Sequence, residues 1–321
     1  METNYRVILI GAVKTSLSIL KKLVEFKFNV VGVFGYEPKD ATNVSGLTNM
    51  SLFSKENNIP YFGYQNINEK RLIDIAQSLN PDIIFAVGFS QLLSKEWLEI
   101  PRYGCIGFHP MMLPKGRGRA PVAWSILEER SAAATFFLMD EGTDSGPILA
   151  QQFIEVEPEE DAQSLSMKIN KTMSELLDAW LPDLKKGIWD PQPQDESLAS
   201  YYCVRKPSDG WIDWNKSAKE IDLLIKATTH PYPGAYFYYS GQKIIVRKSE
   251  LERGLKMKGV VGRVLLVKDE KFLVQCGDGL IWIKELEIPE SITIKVGSRL
   301  RMNIEDEIIK IRRILEDKKY E

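Results

Sequence analysis

Arg6-Val-Ile-Leu-Ile-Gly-Ala-Val13, followed closely by Ser16-Leu-Ser-Ile-Leu-Lys-Lys-Leu-Val24, sets the architecture of this chain. The first run is apolar at nearly every position, as expected of a strand buried on both faces. In the second, Leu17, Leu20, Leu23 and Val24 recur at helical spacing. The alternation continues downstream. Val30-Val-Gly-Val-Phe34 reads as a strand, Lys70-Arg-Leu-Ile-Asp-Ile-Ala-Gln-Ser-Leu79 as a helix, Pro81-Asp-Ile-Ile-Phe-Ala-Val87 as a strand, and Gly104-Cys-Ile-Gly-Phe108 as a short one. Strands and helices in turn predict an α/β fold whose mainly parallel sheet carries helices on both faces. In such sheets ligands lie beyond the carboxyl ends of the strands. His109 follows one of those ends.

After Trp189-Asp-Pro-Gln-Pro-Gln-Asp-Glu-Ser197, two prolines in a polar setting, the pattern changes. Lys216 to Thr228 reads as a helix ended by His230-Pro-Tyr-Pro-Gly234. Short strands follow at Lys243–Arg247, Gly262–Val267, Phe272–Cys276 and Leu280–Ile283, the last two joined by the tight turn Gly277-Asp-Gly279. A small antiparallel barrel or sandwich is the expected second domain. The division predicted is 1–200, with a linker at 189–200, and 201–321 with its leading helix.

With 321 residues, 44% of them hydrophobic, the chain has material for two cores. The N-terminus runs directly into the first strand without a signal-peptide pattern, and no apolar run is long enough to cross a bilayer. Cys105, Cys203 and Cys276 are odd in number and far apart, which argues against a disulfide framework. A cytoplasmic protein is the expectation. The net charge of −2 offers no overall attraction for a polyanion.

The chemistry concentrates in Gly107-Phe-His-Pro-Met-Met-Leu-Pro-Lys-Gly-Arg-Gly-Arg-Ala-Pro121 and Asp140-Glu-Gly-Thr-Asp-Ser-Gly-Pro-Ile148. A histidine and an aspartate from neighbouring loops form an acid–base unit, the carboxylate fixing the ring tautomer and raising its basicity. Only His109 and His230 are available. Bland readings stand beside this one: a structural histidine, a solvated turn at Lys115, Arg117 and Arg119, and an ordinary acidic turn at Asp140 to Gly146. No Gly-x-Gly-x-x-Gly follows the first strand, so no nicotinamide site is expected. Cys105 and His109 lack further ligands at metal spacing, and no metal is expected. Trp211 and Trp214 read as packing residues rather than base-stacking ones.

His109, Met111-Met-Leu-Pro114, Arg117-Gly-Arg-Ala-Pro121 and Asp140-Glu-Gly-Thr-Asp-Ser-Gly146 together resemble the motifs of the 10-formyltetrahydrofolate-dependent formyltransferases. Gly88-Phe-Ser-Gln-Leu-Leu93 is similar to the segment whose backbone holds the pterin ring. Asp209–Trp214, Pro231–Ala235 and Cys276–Gly279 are similar to segments around the family's C-terminal barrel. The resemblance implies a Rossmann-like catalytic domain followed by an OB-like barrel, with 10-formyltetrahydrofolate as co-substrate. It implies that an unprotonated amine attacks the formyl carbon, with His109 stabilising or protonating the tetrahedral intermediate and Asp144 orienting His109 and helping to remove the amine proton. It places Gly88, Phe89, Ser90, Met111, Met112, Leu113, Pro114, Arg119, Asp140, Glu141, Gly142 and Thr143 around the folate. One position departs. Gly107 stands where the family has an asparagine that donates to the developing oxyanion, and loss of such a donor typically costs about 2.7–4 kcal/mol.

For the amine, the region after the second strand, Glu37 to Asn49, contains Lys39 but no basic cluster. With the slightly negative net charge, this favours an amino sugar carried on a nucleotide, as in polysaccharide biosynthesis, over nucleic acid. The Arg117–Pro121 and Pro231–Ala235 runs also look more like those of sugar formyltransferases. Methionyl-tRNA is the alternative substrate, and a catalytically silent folate-binding protein the alternative of another class. Three roles stand open for the barrel: holding substrate, pairing two copies as a homodimer, or bracing the fold.

Overall fold

The computed structural model describes residues 3–40, 46–88, 91–128, 131–300 and 304–317. Two compact units emerge, Met1–Arg205 and Lys206–Glu321.

The first unit is built on seven strands: β1 (Arg6–Gly11), β2 (Asn29–Tyr36), β3 (Tyr61–Tyr64), β4 (Ile83–Val87), β5 (Cys105–His109), β7 (Ala132–Leu138) and β8 (Ile148–Ile154), with β6 (Arg117–Gly118) outside the sheet. Their order is β3-β2-β1-β4-β5-β7-β8. The first five are parallel, and β7 and β8 add an antiparallel edge. The expected doubly covered sheet is present, and the antiparallel edge pair is the part that strand–helix alternation did not reveal.

Successive residues of β1 explain its unbroken apolarity. Val7 and Leu9 pack with α1 (Lys14–Glu25) and α6 (Ala162–Lys185), through Leu20, Leu23, Met173 and Leu177. Ile8 and Ile10 point the other way, packing with Leu72 and Ile73 of α3 (Lys70–Ser78) and Trp97 of α4 (Lys95–Glu99). Each such fully buried aliphatic side chain stabilises the fold by about 1.5–3 kcal/mol. The remaining helices of this unit are α2 (Ser51–Glu56) and α5 (Pro121–Leu127). Strand order reverses at β1, with β2 on one side and β4 on the other, so a crevice opens at the carboxyl ends. There the Ser16 hydroxyl donates to the Val87 carbonyl (2.7 Å) and accepts from the Ala12 and Val13 amides, tying the first turn to the end of β4.

A two-stranded parallel pairing joins β6 to β9 (Tyr201–Tyr202). The tract read as a linker therefore lies against the first unit as far as Tyr202.

In the second unit, α7 (Ala218–Thr228) begins at a reciprocal cap: the Ser217 hydroxyl accepts from the Glu220 amide and the Glu220 carboxylate accepts from the Ser217 amide. Its apolar residues Ile221 and Ile225 pack on an antiparallel sheet of five strands, β10 (Ala235–Tyr239), β11 (Gln242–Glu252), β12 (Val264–Lys268), β13 (Lys271–Gln275) and β14 (Leu280–Glu287), ordered β10-β11-β14-β13-β12. The predicted hairpin through Gly277–Gly279 joins β13 and β14. Trp214 is buried in this core and Trp211 is half exposed. Helix α8 (Ile304–Asp317) ends the described residues, among which no helix is long and apolar enough to cross a membrane.

Candidate functional site

His109 ends β5, and its ring is buried. One ring nitrogen, Nε2, lies 2.8 Å from the Gly116 carbonyl, and the other, Nδ1, lies 3.4 Å from Asp144 Oδ2. The same Asp144 oxygen accepts the Gly118 amide at 2.8 Å. One short loop thus caps both members of the pair. Gly118 can do so because it has φ +107°, and a Cβ there would come 2.3 Å from the Tyr202 carbonyl.

A carbonyl only accepts, so Nε2 carries a proton and donates to Gly116. A neutral ring would then turn the Nδ1 lone pair toward a carboxylate. The Nδ1 lone pair therefore faces Oδ2 until the ring takes up a second proton, whose charge the neighbouring carboxylate would stabilise. Burial pushes the imidazole below its ordinary value, while the Asp144 charge and the Gly116 carbonyl push it back up. A ring held neutral in this way can take up a proton during the reaction and pass it on.

Arg117, between the two capping glycines, departs from the solvated turn its composition suggests. Its side chain is fully buried. The guanidinium donates to both oxygens of Glu196 (2.7 and 2.9 Å), to Gln194 Oε1 (2.9 and 3.2 Å) and to the Tyr201 hydroxyl (2.8 Å). Backbone bonds continue the attachment: Gly116 donates to the Ser200 hydroxyl, Arg117 to the Ser200 carbonyl and Arg119 to the Tyr202 carbonyl. Arg117, Gln194, Glu196 and Ser200 are the residues that sequence reasoning missed. Their partners are distant in sequence, and the one local signal was an arginine between two glycines.

The other expected residues fall into distinct settings. Gly88 follows β4 with φ +65°, while Phe89 and Ser90 lie outside the described residues. Met111 and Leu113 are buried, their carbonyls accepting from Thr135 and Gln151, and Met112 and Pro114 are half-buried. Arg119, Asp140, Glu141, Gly142 and Thr143 are exposed. Asp140 accepts from the Gly142 amide and the Ser145 hydroxyl, knitting the loop that carries Asp144, and Glu141 pairs with Lys95 at 3.2 Å. Gly107 lies on β5 directly opposite Phe137 of β7. Among the described residues no group of three His, Cys, Asp or Glu could hold a metal ion.

Two family descriptions match this chain: Formyl transferase over residues 7–181 and Formyl transferase, C-terminal domain, over residues 205–303. The chain belongs to the formyl transferase family. Among the relatives of this formyltransferase, the methionyl-tRNA formyltransferase of Geobacter metallireducens is 31% identical over 88% of the chain and 90% of its own length. That of Clostridium novyi is 32% identical over 93% and 97%. Among solved structures, HypX from Aquifex aeolicus in complex with tetrahydrofolic acid superposes with a TM-score of 0.63 at 19% identity, over 92% of this chain and 46% of that one. WlaRD, a sugar 3N-formyl transferase crystallised with dTDP and 5-N-formyl-THF, gives 0.62 at 18% identity, over 88% and 97%.

The amino-sugar expectation is overturned by the relatives. Those at 30–34% identity over most of the chain are named for methionyl-tRNA, and the sugar enzymes, at about 18%, share the fold alone. The expectation that nucleic acid is no partner loses its basis with it. The physical fault lies in using a whole-chain charge. From Lys206 onward the sequence has 22 Lys and Arg against 18 Asp and Glu, a net +4, while residues 1–205 carry 20 against 26, a net −6. A chain-wide sum of −2 hides that separation, and binding to a polyanion responds to local rather than total charge.

Proposed function

We propose that this formyltransferase moves the formyl group of 10-formyltetrahydrofolate onto the amino group of methionyl-tRNA, with His109 and Asp144 as its acid–base pair. The observation that carries the chemistry is the buried 3.4 Å contact between His109 Nδ1 and Asp144 Oδ2. The donor supplies an activated one-carbon acyl group, and the chain supplies proton traffic and position. The pair takes the proton that the attacking amine releases as its nitrogen bonds to the formyl carbon. It returns a proton to the donor nitrogen as the old carbon–nitrogen bond breaks. Gly107 offers no side-chain donor to the formyl oxygen, so that duty falls on the His109 side of the site. Gly88, Phe89, Ser90, the Met111–Pro114 stretch, Arg119 and the Asp140–Thr143 loop form the folate side of this reading. The net positive charge after Lys206 supports a tRNA substrate, and a cytoplasmic setting follows from that substrate.

The test is direct. The protein is incubated with 10-formyltetrahydrofolate and methionyl-tRNA, with nucleotide-linked amino sugars in parallel. Formylmethionyl-tRNA is the expected product. Turnover with a sugar alone, or folate binding with no transfer to any amine, would overturn the reading.

A further inference from the structure

Gln194 touches both loops of the site. Its Nε2 donates to the carbonyl of Asp144 (2.8 Å) and to that of Gly146 (2.7 Å), while its Oε1 accepts from Nε and Nη2 of Arg117 (3.2 and 2.9 Å). The amide can face only one way. Its NH2 meets two acceptors and its oxygen meets two donors, and the reverse would pair like with like. Arg117 in turn lies between Gly116, whose carbonyl holds His109 Nε2, and Gly118, whose amide holds Asp144 Oδ2. The contacts close a ring from His109 through Gly116, Arg117 and Gln194 to Asp144 and back to His109.

Asp144 needs such support. Its φ is +49°, in the left-handed region that a non-glycine residue occupies at a cost. That conformation sets where its carboxylate points, and Gln194 fixes the carbonyl at the same residue. Gln194 also lies between the two matched family segments, which end at residue 181 and resume at 205.

We propose that Gln194 is a positioning residue that holds the Asp144 carboxylate against His109, making the tract before β9 part of the catalytic apparatus. The proposal rests on the acid–base reading of His109 and Asp144. It gives the polar stretch after Pro193 a duty beyond connection. Substitutions there act on the rate of transfer while leaving all three hydrophobic clusters, which contain no residue of the tract beyond Trp189, intact.

Two variants test it. Q194M removes all four bonds without adding charge, and Q194E keeps a partner for Arg117 while turning an acceptor toward two carbonyls. The chain has two histidines, so imidazole NMR gives two titrations, and H230N identifies that of His109. In both variants the His109 midpoint is expected to fall further below the ordinary value, by about half a pH unit or more, as the ring loses the Asp144 charge that pushes it up. The kcat is expected to fall by about ten- to a hundredfold, with KM for the donor within about twofold. Q194M/D144N is expected to be no slower than D144N alone, because both changes act on one contact. An unchanged midpoint with wild-type kcat, fully multiplicative losses in the double variant, or loss of the fold in both variants would each overturn the proposal. Should D144N transfer formyl at the wild-type rate, the acid–base reading fails instead, and the NMR titration still reports whether Gln194 sets the His109–Asp144 contact.

Discussion

Phe137 occupies the ground that a side chain at Gly107 would need. The two residues are directly opposed across β5 and β7, and a Cβ at 107 would lie 2.7 Å from Phe137 Cζ and 2.8 Å from Cε1, with Met139 Cγ at 3.2 Å. Phe137 is itself buried. The family asparagine is thus absent here together with the room for it.

Gly107→Asn is accordingly expected to destabilise the protein by about 1–3 kcal/mol, the usual range for overpacking a filled site. Its kcat should not rise. Pairing it with Phe137→Val should recover part of the loss, giving a favourable coupling in a double-mutant cycle measured by urea unfolding. Additive effects would mean the two side chains do not compete for one space.

His109→Asn and Asp144→Asn are each expected to lower kcat by about 100- to 10,000-fold, the range for a positioned acid–base group. The double variant should be no slower than the slower single one, because the two residues act as one unit. Steady-state transfer assays with the three proteins measure this.

Stability should depend on pH through His109. Burial outweighs its partners and lowers the folded-state pKa, while the unfolded ring titrates near about 6.5. The unfolded chain therefore binds more protons in the window below about 6.5, and stability falls as pH drops through it. Urea unfolding at pH 7.5 and 5.5 should show a larger loss for the wild type than for His109→Asn, with the difference between the two proteins isolating this residue from the carboxylates.

The three thiols should react unequally. Cys203 is exposed, whereas Cys105 and Cys276 are buried, and burial pushes both of those thiols up to about 12. Titration of the native protein with a chromogenic disulfide should give one fast thiol, and Cys203→Ser should abolish it.

Much of the fold was legible because it is written in local pattern. The apolar β1 run and the Leu20–Leu23 spacing of α1 predicted a sheet covered on both sides, and Val7 and Ile8 bury on opposite faces as that requires. The antiparallel edge was not legible: Ala132–Leu138 is as apolar as a parallel strand, and direction is set by what it packs beside. The substrate was misread because the sum of charges conceals where they lie.

At the site the same division holds. Local order along the chain determined that an imidazole would end a buried strand, that glycines would follow it, and that an aspartate would sit in a tight acidic loop. Only the folded chain decided that Arg117 would be buried and that Gln194 would bridge it to Asp144, partners 77 and 50 residues away in sequence. Backbone preference and apolar spacing act over a few residues and leave a trace in composition. A hydrogen bond between distant loops leaves none, because its donors and acceptors are ordinary polar residues until the sheet brings them within 3 Å.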